Sequence, residues 1–411
     1  MIDKRKQRIH YLLTICNDIK MKEYPSNPHP KNFDQIGGGI KLFKDKWVSS
    51  FWLRLSFNLV LPLAMVCYDV LILCRYSLVL LFHTPKNIHP KRVFVSGHNR
   101  LYNVGVYSGL IDSNSVWFST PFETQKLPEP HIVLTVFDYL HFRDILQCMN
   151  QSILCRWISV KKYGFRTFFL TQKAFSWMVT DTALRKVPYD VELLFANNAD
   201  RMAMLIDFLP QKEKSLVQHG TLHFYHRTGE DPRFSYHKEL GFWTWNCLYR
   251  FKTLTRMYCY SEKDKNAYKI SNFLCHPEFI VIGYGFKPSY KPDKPSVLII
   301  ANPQVFLDKE ELILKSLQGL NIDIFLKNHP ALSDSYYDFF QKKYDFIFLS
   351  GKTKELPAVD VVFSYDSTLA YEYESIGAEV LYYYTFNWNK IREIVIKKLN
   401  HSCHRNKLPI V

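Results

Sequence analysis

No C-x-x-C pair occurs in the chain, and its nine cysteines are scattered and odd in number. That spacing offers neither a zinc module nor a disulfide framework, and it fits a reducing compartment with thiols used as small core residues. Acidic residues are in short supply: 38 Asp and Glu face 53 Lys and Arg, a formal net charge of +15. A surplus of that size selects anionic partners, whether nucleic acid, lipid headgroups or phosphorylated substrates. A zinc-finger spacing and the aromatic-basic signature of RNA-binding sheets are both missing, so no nucleic-acid partner is expected. P-loop, G-x-S-x-G and kinase signatures are absent as well. No Asp-x-Asp stands at a strand end, so no obligatory metal is expected, and no cofactor.

Long uncharged runs are also lacking. The longest in the most apolar region, Leu55–Tyr68, is 14 residues and contains Pro62, after which Asp69 and Arg75 interrupt. A spanning helix needs about 20 apolar residues. The region 55–82 therefore reads as interfacial or core, with monotopic attachment preferred over a span. Lys41, Lys44 and Lys46 precede it, and Lys86, Lys91 and Arg92 follow. Each such cation is worth about 1 kcal/mol near an anionic membrane surface. The opening Met1-Ile2-Asp3-Lys4-Arg5-Lys6 is polar and basic, unlike a secretory signal, so a cytoplasmic setting is expected.

What is present is an α/β pattern. At 411 residues two or three domains are expected, and 47% apolar residues can fill their cores. Residues 1–90 form a basic and apolar region expected to associate with a membrane. From Arg92 short apolar runs alternate with helical ones, which argues a mostly parallel sheet over 91–286. Strands are expected at Val93–Ser96, Ser115–Ser119, Ile132–Phe137, Thr167–Leu170, Val191–Phe195, Ser215–Val217, Met257–Tyr260 and Phe279–Ile282. Residues 287–295 carry three prolines and three lysines and read as a linker. A second, smaller α/β domain spans 296–389, and a basic helix or tail covers 390–411. Ile391, Ile394, Val395 and Leu399 share a face of that helix, which could meet a membrane but more commonly would pack back across a domain cleft.

The chemistry concentrates between Asp323 and Tyr383. One strand runs into Lys327-Asn328-His329-Pro330, and another into Ser364-Tyr365-Asp366-Ser367-Thr368. In an open parallel sheet ligands bind beyond the carboxyl ends of the strands. Here those ends carry a cation, an imidazole and hydroxyls opening a helix, whose N-terminus has unpaired N–H groups and about half a positive charge. Taken as successive strands of one βαβ unit, they let Lys327 and His329 face the same phosphate as Ser367 and Thr368. The plain structural alternative is that Ser367 and Thr368 only cap a helix.

Leu216-Val217-Gln218-His219-Gly220-Thr221 is a second strand end. Gly220 permits close backbone approach to a ligand. A neutral imidazole such as His219 is suited to take a proton from an attacking hydroxyl near neutral pH. His98, after the first strand of the larger domain, is a second candidate base. A metal site on His219, His223 and His226 would need a helix to gather them, and Gly220 speaks against one.

These motifs resemble known families. Lys327-Asn328-His329-Pro330 and Ser364-Tyr365-Asp366-Ser367-Thr368 are similar to the His-Pro and Ser-Ser/Thr motifs of bacterial sialyltransferases and Kdo transferases, which are GT-B glycosyltransferases using CMP-activated sugars. Gln218-His219-Gly220-Thr221 resembles the His-Gly-Thr element of CDP-glycerol and related polyol-phosphate transferases. The paired-acid-glycine motif of the sialyltransferases is absent. The resemblance implies two Rossmann-like domains facing across a cleft, metal-independent and inverting. It implies that His329, Ser367 and Thr368 hold the donor phosphate and that His219 is the base. Lys327, Pro330, Ser364 and Gly220 join the expected donor contacts from their places at the strand ends, and His98 and His329 are the further catalytic candidates. The expected activity is transfer of a sugar from a nucleotide-activated, CMP-linked donor to a lipid-linked or growing capsule or lipopolysaccharide glycan, at the cytoplasmic face of the inner membrane. The alternatives are CDP-polyol phosphate transfer and a non-catalytic nucleotide-sugar-binding subunit.

Overall fold

The computed structural model describes residues 51–86, 88–95, 101, 104–106, 108–112, 115–121, 132–163, 173–196, 201–218, 220, 223–224, 234–245, 250–330, 332–365, 367–385 and 387–405. His98, His219 and the strand expected at Thr167–Leu170 lie outside these residues. The chain divides into two compact units, Met1–His219 with Asn246–Val281, and Gly220–Trp245 with Ile282–Val411. The last break falls at Val281, ahead of the proline-rich run.

Among the described residues, the first unit opens with helix α1 (Phe51–Phe82) and builds a seven-stranded sheet. Its strands are β1 (Arg92–Val95), β2 (Ser115–Ser119), β3 (Val133–Thr135), β4 (Glu192–Phe195), β5 (Lys214–Val217), β9 (Arg256–Cys259) and β10 (Glu278–Val281). Every pairing is parallel, in the order β10-β9-β5-β4-β1-β2-β3. The sequence cause is visible in Val93-Phe94-Val95 and Leu193-Leu194-Phe195, all fully buried. Continuous apolar runs suit a parallel sheet covered on both faces. Helices α2 (Phe142–Tyr163) and α3 (Ala174–Lys186) pack on each other, and α2 also packs on α1. Helices α4 (Arg201–Asp207) and α5 (Glu262–Ser271) follow β4 and β9.

The second unit contains a small antiparallel sheet that alternation alone did not announce. It is formed by β6 (His223–Phe224), β8 (Phe242–Trp245) and β7 (Phe234–His237). His223 thus opens a strand, which removes the helical spacing that a metal site with His219 would require. The main sheet is parallel and ordered β13-β12-β11-β14-β15, from β11 (Ser296–Ile300), β12 (Asp323–Lys327), β13 (Ile347–Leu349), β14 (Val361–Ser364) and β15 (Glu379–Tyr382). Successive residues face opposite layers. Val297, Ile299, Leu326 and Phe363 pack under helices α6 (Pro303–Leu317) and α9 (Ile391–Arg405). Leu298, Phe325 and Val362 pack on the other side with Ala370, Tyr371 and Tyr373 of α8 (Thr368–Ser375). A short α7 (Asp338–Lys343) precedes β13. Full burial of each such side chain is worth about 1.5–3 kcal/mol.

Of the two readings of the last helix, packing back onto the protein is the one seen: Ile391, Val395 and Leu399 of α9 are buried in this unit's own core. One expectation is corrected: the strands carrying His329 and Ser367 are not neighbours, because β11 lies between β12 and β14. Among the described residues, no helix is long and apolar enough to cross a membrane.

Candidate functional site

The strand order of the second unit sets its switch point. From β11 the chain crosses to β12 and β13 on one side, then returns to β14 and β15 on the other. In an open α/β sheet, the crevice at that reversal, outside the carboxyl ends, is where ligands bind. The pairing Ile300↔Lys327 and Lys327↔Leu349 brings β11, β12 and β13 to one level at that edge. Ser364 pairs with Tyr382 at the end of β14. Strands spaced about 4.8 Å apart put β12 and β14 about 10 Å from each other. His329 and Ser367 therefore flank β11 on opposite sides.

The β12 side is a rigid loop. Lys327 is buried, and its Nζ donates to Ser350 O at 2.6 Å and to Asn328 O at 3.4 Å. Asn328 is also buried and donates through Nδ2 to Ser333 O (3.1 Å) and Asp334 Oδ1 (2.8 Å), while its Oδ1 accepts from His329 N at 2.8 Å. Asp334 accepts from Ser350 Oγ at 2.5 Å and from Gly351 N at 3.2 Å. The bonds from Asn328 and Ser350 hold the Asp334 carboxyl below its ordinary range. The loops after β12 and β13 are thereby sewn together. A Cβ on Gly351 would stand 2.7 Å from His329 O and 3.0 Å from Pro330 Cα, so only glycine fits there.

His329 emerges half-buried from this frame. Burial lowers its pKa, and the Lys327 charge lowers it further, so the ring is neutral at pH 7. Lys327 is itself depressed by burial, against the pull of Asp334. The lysine thus acts on an anion through its field and through the loop it fixes, its ammonium being held by carbonyl oxygens.

On the β14 side, Ser367 is the N-cap of α8, with φ −117° and ψ 148°, and its side chain accepts from Ala370 N at 3.4 Å. Its hydroxyl proton is still a donor. Thr368 opens the helix beside it, and Gly377, at φ +91°, ends the turn in a left-handed conformation that suits glycine. Ser364 is different: it is fully buried and donates to Tyr365 O at 2.6 Å, which commits its proton inside the loop.

A carboxyl that the sequence reading passed over lies beneath the switch point. Glu310 is fully buried, accepts from Asn302 N at 2.6 Å, and accepts from the Tyr337 hydroxyl at 2.5 Å. Burial pushes its pKa up to about 6 despite both bonds. Asn302, the N-cap of α6, makes no side-chain cap bond, and its Oδ1 is buried with no partner among the described residues. Glu310 was detectable: it lies on one helical face with Phe306, Ile313, Leu314 and Leu317, where an apolar residue is the rule.

In the first unit, Gln218 fixes the chain just before His219. Its Oε1 accepts from Tyr260 N at 2.8 Å, and its carbonyl accepts from the Tyr260 hydroxyl at 2.7 Å. A Cβ on Gly220 would meet nothing within 4 Å, so packing does not demand the glycine.

No family model matches the chain, and no curated protein does. Among solved structures it is similar to the wall teichoic acid polymerase TagF soaked with CDPG, at 11% identity and a TM-score of 0.36, over 84% of this chain and 92% of that one. It is also similar to MurG of Acinetobacter baumannii, at 9% identity and a TM-score of 0.36, over 77% of this chain and 94% of that one. A mutant O-GlcNAc transferase of Thermobaculum terrenum matches at 10% identity and a TM-score of 0.33, over 79% and 62%. All three scores lie below 0.5, so function rests on the chain's own residues.

Proposed function

We propose that the protein is a glycosyltransferase drawing on a nucleotide-activated, cytidine-linked sugar, with the donor phosphate held at the carboxyl edge of the second unit's sheet. The observation that carries this reading is His329: a half-buried imidazole kept neutral beside Lys327, on one flank of the switch point, with the capped start of α8 on the other. A neutral ring donates its N–H to a phosphoryl oxygen and can take up a proton as charge builds on the leaving phosphate. The N–H groups opening α8, with Ser367 and Thr368, add donors for that charge. The orphaned Asn302 Oδ1 supplies an acceptor for a hydroxyl of the donor.

In the reaction, a hydroxyl of a lipid-linked or growing glycan attacks the anomeric carbon. The bond from that carbon to the phosphate oxygen breaks, and its electron pair leaves with the nucleotide. The hydroxyl proton goes to a base, assigned to His219, with His98 as the alternative. His-Gly-Thr at 219–221 also fits a polyol-phosphate transferase, in which the attack falls on phosphorus instead of carbon.

The test is a thermal-shift comparison of CMP, CDP, UDP, GDP and ADP on the wild type and on His329→Ala. A ligand at about 100 times its Kd adds about 2.7 kcal/mol of stability. A shift with CMP or CDP alone, lost in the variant, supports the assignment. A shift only with UDP or GDP removes the cytidine donor, and no shift with any nucleotide removes the phosphate site.

A further inference from the structure

We propose that α1 and α2 together form a docking surface for an anionic lipid bilayer. The sequence pointed only to the apolar stretch of α1; the structure adds α2 and the way the two are joined. Arg156 of α2 places Nη2 2.6 Å from Asp69 Oδ2 of α1, and both side chains are buried. At the other end of the pair, Leu80 and Leu81 of α1 line one groove with Phe142 of α2, about 460 Å³ in volume. The helices therefore run antiparallel, clipped at one end by an ion pair and sharing an apolar slot at the other.

Their outward faces are apolar where a solvated face would be charged. On α1, Val66, Val70, Leu71, Leu78, Leu81 and Phe82 are exposed, with Leu81 at 76% and Phe82 at 84%. On α2, Phe142, Leu146, Ile153, Leu154 and Trp157 are exposed, with Trp157 at 69%. Single exposed hydrophobics are ordinary, but eleven on two helices packed against each other point to an interaction surface.

Charge selects the occupant. Among the described side chains of the two helices, the exposed charges are Arg75, Arg143 and Lys161, all cationic. The acids are withdrawn: Asp69 is buried against Arg156, and Asp144 is bonded to Lys186 at 2.5 Å. A second copy of the chain meeting this face about a two-fold axis would set these cations against themselves. A bilayer carrying anionic headgroups accepts both features, with apolar and aromatic side chains at the acyl boundary and the cations among the phosphates.

The full chain is sedimented with vesicles of phosphatidylcholine and phosphatidylglycerol at about 3:1, and with phosphatidylcholine alone. The wild type is expected to pellet with the anionic vesicles. Leu81→Glu with Trp157→Glu, at sites too exposed to be needed for folding, should lower partitioning by about tenfold or more with an unchanged melting curve. Arg75→Glu with Arg143→Glu should abolish the preference for anionic vesicles. Equal pelleting of all three proteins overturns the proposal and moves binding to another part of the chain. No pelleting of the wild type also overturns it; a change of oligomeric mass in the Leu81/Trp157 variant would then identify a second copy as the occupant.

Discussion

The ammonium of Lys327 and the carbonyl of Ser350 meet at 2.6 Å, joining the loop that carries His329 to the loop after the neighbouring strand. Lys327→Met should leave that carbonyl without its donor and cost about 1–3 kcal/mol in chemical denaturation. The same change removes one of the two causes that depress His329. The imidazole should therefore titrate at a higher pH than in the wild type, read from the ring proton resonances. An unmoved titration would mean that burial alone keeps the ring neutral.

Gly351→Ala tests the frame without touching a charge. Its Cβ would stand 2.7 Å from His329 O, closer than real Cβ contacts allow, and the obstacle is backbone. Overpacking of this kind costs about 1–3 kcal/mol. The loop is expected to yield by displacing His329, so the nucleotide-induced shift should shrink more than that of a variant of equal stability elsewhere, such as Leu399→Ala. Equal shrinkage in the two would place His329 outside the ligand's reach.

Much of this edge was legible in the sequence, for an identifiable reason. Lys327-Asn328-His329-Pro330 and Ser364–Thr368 each follow a buried apolar run, and apolar periodicity survives in a linear reading. Strand order does not. Ile347–Leu349 is three residues long with an exposed first member, too short to announce β13. Without β13, the strands before His329 and Ser367 read as successive, whereas the structure inserts β11 between them. Glu310 was hidden differently: flanked by Lys309 and Glu311, it reads as part of a solvated charge cluster, and only its spacing from Ile313 and Leu317 betrays burial. The clip Asp69–Arg156 joins positions too far apart in the chain for any local pattern to report.

Glu310 makes the fold sensitive to pH in a defined window. Its pKa is raised from 4.5 in the unfolded chain to about 6 in the folded one. A raised carboxyl pKa means that the folded state binds the proton more tightly, so the stability it contributes is complete below pH 4.5 and is lost as pH rises through about 6. The loss is about 2 kcal/mol at 1.4 kcal/mol per pH unit. Glu310→Gln mimics the protonated form and should flatten that segment of the stability curve. The wild-type minus variant difference, measured by denaturation from pH 4 to 8, isolates this group from carboxylates such as Asp334, whose depressed pKa slopes the other way. Identical curves for the two proteins would show that folding leaves the pKa of this carboxyl unchanged.

Ser367 decides between a helix cap and a phosphate site, because aspartate satisfies the first role and defeats the second. The side chain of Ser367 accepts from Ala370 N at the start of α8. Ser367→Ala should cost about 1 kcal/mol through the lost cap. Ser367→Asp restores an acceptor of equal capping strength and adds a negative charge that the helix N-terminus favours. Its melting temperature should match or exceed that of the wild type. If a phosphate binds there, the new carboxylate repels it, and the cytidine-nucleotide shift should vanish from a protein that is fully folded. A Ser367→Asp variant that is stable and still shifts with the nucleotide would leave α8 with a cap and no anion, and the donor phosphate would then have to be held from the His329 side alone.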